Sequence, residues 1–295
     1  MLRTVGTIVA IVVFAAAELV APSSGQPKPL IVSTGDPNGT YVRFFNEMTR
    51  VCPQPALQGI TSKGSLENLE RLENNQANLA FAQIDVLYAK KLIEHDPAVE
   101  QVRTFLILYL EEVHILIPSS SASSIHVFSD LAGKRVGTYG GGSITSRILF
   151  GTTKVQPASL QDLPGPTEAV RALGDTIDAV IGVGGKPLPW VAALNANYKL
   201  VQFDMYEQVK NIYFPGRLEY SNLGQVVPIG TIGVPALLIT RDYKTPEITK
   251  PLLQLRGCIV KNLEALRETV GNHPKWGQVD PTVRGGWPYF GGTTP

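Results

Sequence analysis

The sequence is short of nearly every residue set that carries covalent or metal chemistry. Its four histidines, His95, His114, His126 and His273, are scattered and make neither a His-x-x-x-His pair nor a Cys-His set, which argues against a metal centre. No Gly-x-Ser-x-Gly elbow is present. Gly59 and Gly64 have P-loop spacing, but Ser65 stands where the phosphate-binding lysine is required. Neither cysteine lies in a Cys-His motif. No catalytic constellation, cofactor or metal is therefore expected, and the protein reads as a binder and not an enzyme. Excess charge of one sign is also lacking. With 26 Lys+Arg against 25 Asp+Glu the net charge is +1, so a nucleic-acid or anionic-membrane surface is not expected. Internal repeats and low-complexity arrays are absent.

What is present begins at the N-terminus. Arg3 supplies a positive start, Val5 to Ala17 an apolar stretch, and Ala15–Ala17 and Ala21–Gly25 the small residues of a cleavage region. The apolar stretch is shorter than the ~20 residues of a membrane span. Residues 1–25 are thus expected to be an export signal, with an uncleaved anchor as the alternative, and Pro22–Pro29 a tail of the mature, extracytoplasmic (periplasmic) protein. In an oxidising compartment Cys52 and Cys258 form a candidate disulfide tying the two ends of the chain together; two buried free thiols are the alternative.

The length of 295 residues suits two lobes. Residues 30–33, 57–61 and 79–82 are apolar and strand-like, and 41–51, 65–72 and 84–92 carry helical spacing. This βαβαβα alternation predicts a parallel sheet in an α/β fold. Ser65 reads as the cap of its helix. Residues 104–109 and 113–118 read as two runs joined across Leu110-Glu-Glu112, and 119–124 as a linker. A second α/β unit follows, with strands over 134–138, 177–182 and 198–203 and helices over 143–150, 168–173 and 187–194. A strand over 232–240 and a Leu-rich helical stretch over 246–267 return to the first unit, because a lone strand and helices cannot form a third core. Residues 276–295, rich in Gly and Pro, are expected on the surface. The expected division is lobe 1 over 26–118, lobe 2 over 119–228, and a return to lobe 1 over 229–295.

Gly-Ser/Thr turns between strand and helix mark the candidate site: Ile31 to Tyr41, Gly59 to Asn68 and Arg135 to Thr145. Glycine lets backbone approach a ligand, and the helix that follows offers unpaired N–H groups and partial positive charge to an anion. The candidate ligand contacts are Gly39, Thr40 and Tyr41; Ser65 and Asn68; Gln83 and Asp85 at the end of the third strand; Ser143, Ile144 and Thr145 from the other lobe; and Gly184 and Gly185 in a strand-to-helix turn. Ordinary helix capping is the alternative for each turn alone. Asp85 reads equally as a ligand for an amino group or a helix cap. Arg43, Lys63 and Arg147 stand near the turns, either to pair with a second carboxylate or simply in solvent. Tyr139 and Trp190 are candidates for stacking in the cleft or for the core.

Several stretches in order carry a family resemblance: Ser33-Thr-Gly-Asp-Pro-Asn-Gly-Thr-Tyr41; Lys63-Gly-Ser-Leu-Glu-Asn-Leu69 followed by Gln76 to Asp85; Leu131-Ala-Gly-Lys-Arg-Val136 leading into Gly140-Gly-Gly-Ser143; and Ile177 to Pro187. The chain resembles the TAXI-type solute-binding subunits of TRAP transporters. The resemblance implies a two-lobe periplasmic-binding-protein clamshell with a ligand cleft between the lobes. It also implies capture of a small carboxylate, an amino acid or a dicarboxylate, and delivery by a monomeric protein to the membrane subunits of a TRAP transporter. At 140–145 the turn departs from the family's Gly-x-x-Gly-Ser-Gly-Thr pattern, with Ile144 where glycine is common. A sensory binding protein for a membrane receptor, or an exported enzyme on a similar scaffold, are the rival readings.

Overall fold

Short apolar segments and helices alternate from the start of the described residues. The computed structural model describes residues 28–292, so the export signal expected over 1–25 lies outside the described residues. Strands β1 (Leu30–Ser33), β2 (Leu57–Ile60) and β3 (Leu79–Gln83) alternate with helices α1 (Thr40–Val51), α2 (Ser65–Glu73) and α3 (Ile84–Leu92). β1 lies between β2 and β3 and is parallel to both, as helical crossovers between strands dictate.

β4 (Val102–Pro118) is one strand of 17 residues, not two runs broken at Leu110-Glu-Glu112. The adjacent glutamates do not mark a turn, because Glu111 and Glu112 are both 4% exposed and stay in the ladder. The next elements are β5 (Arg135–Thr138), α4 (Gly142–Thr153), β6 (Ser159–Asp162), α5 (Pro166–Ala172), β7 (Ala179–Gly184), α6 (Pro189–Ala192), β8 (Tyr198–Leu200), α7 (Tyr206–Val209) and β9 (Phe214–Leu218). β5 is parallel to both β6 and β7. The chain then returns through β10 (Ile229–Arg241), α8 (Pro246–Lys261) and α9 (Leu263–Glu268).

The ten strands of the described residues belong to one sheet, with the main path β2-β1-β3-β10-β4-β7-β5-β6. β10 is wedged between β3 and β4 and runs antiparallel to both. β4 pairs with β10 along 102–112, and its last residues pair with β7 and β8. The two long strands therefore serve both halves of the sheet.

One apolar cluster crosses between the halves, packing Leu87 of α3 and Leu149 of α4 with Val113 of β4 and Val234 of β10. A second lies outside β1–β3, where Phe44 and Met48 of α1 meet Leu255 and Ile259 of α8. A third, around Ile177, Val191 and Leu218, fills the other half. The final segment is not a surface tail: Trp276, Trp287 and Phe290 are buried, and Trp276 stacks on Phe44 at 4.2 Å between ring centres. Large aromatic side chains bury enough apolar area to anchor a Gly- and Pro-rich strand of chain. Cys52, which ends α1, is joined to Cys258 on α8, with their Cα atoms 5.9 Å apart.

Candidate functional site

The C-terminal ends of β1, β3, β5 and β7 open into a cleft of about 510 Å³, the position where open α/β sheets bind ligands. One wall comes from Gly39–Tyr41 at the start of α1, Gly64 and Ser65 at the start of α2, and Gln83 at the end of β3. The facing wall is Tyr139–Gly141 before α4, Pro164–Glu168 before and into α5, Val183 and Gly184 at the end of β7, and Leu188–Trp190. Glu111 of β4 lines it between them.

The two walls touch. Gly64 holds a φ of +121°, and a Cβ added there would stand 2.8 Å from the Gly141 nitrogen. A Cβ on Gly141 would stand 2.3 Å from Gln83 Oε1. Only glycine permits two backbones to approach so closely. Thr40 donates its hydroxyl to the Gly185 carbonyl at 3.3 Å, and Thr145 donates to Asp85 Oδ2 at 2.7 Å.

Of the residues singled out in the sequence, Gly39, Thr40, Tyr41, Ser65, Gln83 and Gly184 line this cleft. Neither α1 nor α2 has a side-chain cap, each being preceded by glycine. Ser65 is the first helical residue and not the cap; its hydroxyl crosses to β3, accepting from the Gln83 amide and donating to Gln83 Oε1, both at 3.1 Å. That bond holds the Gln83 side chain in place, and its Nε2 is buried without an acceptor.

Other singled-out residues are used inside the protein. Asn68 is fully buried, accepts from the Ser33 and Ser62 hydroxyls at 2.6 Å each, and donates to the carbonyls of Thr34 and Phe81. It staples α2 to β1 and β3. Asp85, at the start of α3, also accepts from the Tyr213 hydroxyl at 2.8 Å. Burial raises its carboxyl above the usual range, against the pull of its Thr145 and Tyr213 bonds, and its Oδ1 has no partner. In the turn before α4 the first amides are consumed locally: Gly142 donates to the Tyr139 carbonyl and Ser143 to that of Gly140. Ser143, Ile144 and Thr145 are not part of the lining, and Ile144 packs against the central core. Gly185 is a contact between walls and not part of the lining. Arg43 pairs with Glu47 and Arg147 with Asp162, so neither guanidinium reaches the cleft. Tyr139 and Trp190 do line it, edge to face with centres 6.0 Å apart, and Trp190 Nε1 lacks an acceptor.

The residue that sequence reasoning missed is Glu111. Burial pushes its carboxyl up to about 8, Asp85 and Glu112 add to the shift, and Tyr41 and Gln83 oppose it. The signal in the sequence was the paired acid at 111–112 inside an apolar run, which reads as a break when the strand is thought to end there. The charged residues lining the cleft are Lys63, Asp36, Glu111 and Glu168, with no arginine among them. The open amides at the starts of α1 and α2, with Gln83 Nε2, suit a carboxylate oxygen; the acidic side chains suit a donor or a cation.

Three solved structures show the same fold at low identity. The GluR0 ligand-binding core in complex with L-glutamate aligns with a TM-score of 0.51 at 13% identity, covering 80% of this chain and 96% of that one. The Nostoc punctiforme GluR0 ligand-binding core with L-glutamate gives 0.50 at 16% identity, over 83% and 100%. The amino acid ABC transporter substrate-binding protein AbpA of Streptococcus pneumoniae, bound to L-arginine, gives 0.51 at 13% identity, over 85% and 92%. The fold is thus that of a type-2 periplasmic binding protein. No curated protein matches the chain in sequence. Residues 33–269, most of the sequence, match the NMT1-like family, and the chain belongs to it.

Proposed function

We propose that this chain is an extracytoplasmic solute-binding protein that captures a small carboxylate and delivers it to the membrane subunits of a TRAP-type secondary transporter. The observation that carries the reading is the pair of uncapped helix starts at Gly39 and Gly64, both lining one cleft with the buried, unpartnered Gln83 Nε2 between them. Among the described residues the amides of Thr40, Tyr41, Ser65 and Leu66 have no acceptor. Helix starts of this kind attract negative charge. The acidic side chains in the lining favour an amino acid over a dicarboxylate. The bound relatives of the same fold hold L-glutamate and L-arginine. The transporter partner and the periplasmic location rest on the TAXI resemblance and on the signal-like N-terminus. Ligand bridging the walls would bias an open–closed equilibrium toward the closed form.

Thermal unfolding of the mature protein with amino acids, 2-oxo acids and dicarboxylates tests the binding reading. A true ligand at a hundredfold excess over Kd stabilises by about 2.7 kcal/mol. Absence of a shift with every compound would overturn it. Uptake by proteoliposomes carrying TRAP membrane subunits, dependent on this protein, tests the partner.

A further inference from the structure

The two adjacent acids of β4 have different surroundings. Glu112 accepts from Lys275 Nζ through one oxygen and from the Lys186 amide, at 3.0 Å, through the other. Glu111 faces the cleft, and no ion pair includes it among the described residues. Its Oε1 takes a long bond, 3.4 Å, from the Tyr109 hydroxyl. It sits on the strand that both halves of the sheet share, 4% exposed, where the two cleft walls meet. A buried carboxylate without a cation is costly, and such a group stays neutral until one arrives.

We propose that Glu111 is the receptor for a solute ammonium group and gives up its proton on binding, so that each capture of an ammonium-bearing solute releases one proton. This rests on the carboxylate-binding reading above and adds the other end of the ligand. The titratable and charged groups around Glu111 are Tyr41 from α1, Asp85 from α3, Tyr109 and Glu112 on its own strand, and Lys275 from the turn over 274–278. Lys275, the one cation of this group, is held by Glu112. Asp85 and Glu112 are acids and keep the Glu111 proton in place. When the solute enters, the Glu111 O–H bond breaks, the proton leaves to solvent, and the carboxylate accepts from the ammonium. One positive charge enters and one leaves, so the buried net charge is unchanged.

The experiment is calorimetric titration of the full mature protein at pH 7 in phosphate and in Tris, whose ionisation enthalpies differ. The probes are L-alanine, L-glutamate and L-leucine beside their oxo counterparts pyruvate, 2-oxoglutarate and 4-methyl-2-oxopentanoate. With Glu111 at about 8, an amino acid should release about 0.9 proton per ligand at pH 7. Glu111→Gln should abolish the release and weaken amino acid binding at least tenfold. Amino acid binding with the same apparent enthalpy in both buffers would overturn the inference and leave the carboxylate reading standing, as would binding by oxo acids alone. Binding by none of the six would overturn the inference and leave the carboxylate reading to the dicarboxylates of the thermal test. The wild-type buffer comparison decides the matter even if the variant folds poorly.

Discussion

Thr145 on α4 donates its hydroxyl to the buried carboxylate of Asp85 on α3, 2.7 Å away, across the meeting of the two halves of the sheet. The bond explains why both residues look like ligand donors in the sequence and serve the protein instead. Thr145→Val keeps the shape and removes the donor, leaving Asp85 with Tyr213 alone among side chains. The loss should cost about 1 kcal/mol, the usual net figure for a buried hydrogen bond. Urea unfolding reads it, and an unchanged midpoint would mean the bond is not made in solution.

Gly141→Val should leave the fold intact and spoil the approach of the walls, since its Cβ would fall on Gln83 Oε1 and 3.2 Å from the Ser65 hydroxyl. Ligand affinity is expected to drop at least tenfold, about 1.4 kcal/mol. Calorimetry measures the affinity, and circular dichroism controls for folding. Wild-type affinity would show that these two turns do not meet around the ligand.

Glu111 also sets a pH dependence of stability. Its folded value of about 8 lies above the ordinary 4.5, so the folded state holds the proton more tightly. The stabilisation is complete below about 4.5 and is lost as pH rises toward about 8, at about 1.4 kcal/mol per pH unit in that window. Relative to wild type, Glu111→Gln should therefore gain stability between pH 5 and pH 8. A stability difference that does not change with pH would contradict this.

His114 is expected to stay uncharged in acid. Burial lowers its value to about 3. Its Nδ1 lies 2.8 Å from the Glu112 carbonyl and so carries the proton, while Nε2 accepts from the Tyr220 hydroxyl at 3.0 Å. That hydroxyl in turn accepts from the Leu188 amide at 2.7 Å. Nitrogen-15 shifts of the ring at pH 5 should report the neutral Nδ1–H tautomer; an imidazolium spectrum would refute it.

The Cys52–Cys258 link closes a separation of 206 residues. In the chain-entropy description, itself disputed, closing so long a loop contributes about 5 kcal/mol. Replacing both cysteines by serine should lower the denaturation midpoint accordingly, and an equal midpoint would show that the link adds nothing to stability.

The strands with continuous apolar runs, β1, β3, β7 and β10, and the helices after each glycine turn were legible because burial imposes composition. β6 and β9 were not. Ser-Leu-Gln-Asp and Phe-Pro-Gly-Arg-Leu are largely exposed strands, one at the edge of the main path and the other off it, with little apolar demand. Turn chemistry singled out Gly39–Tyr41, Ser65 and Gln83, which the fold brings together in the lining of one cleft. It does not separate donors facing the cleft from donors facing the protein interior, which is why Asn68, Asp85 and Thr145 carry the same signal. Ser143 is absent from the lining, and the turn before it closes on its own amides. Glu111 was hidden because a buried acid resembles a strand end until the whole sheet is known.

The wedging of β10 between β3 and β4 has a consequence for the order of assembly. β3 and β4 follow one another in the chain, yet the space between them stays open until residue 241 has been made. The core behind β1 waits longer still, for Leu255, Ile259 and Trp276. A nascent chain of this topology has no completed half to fall into, since long-range pairing must precede the gain it brings. Vectorial synthesis thus delivers β1–β3 and β4–β8 as two incomplete sheets, and the strand that joins them arrives only when most of the polypeptide has been made.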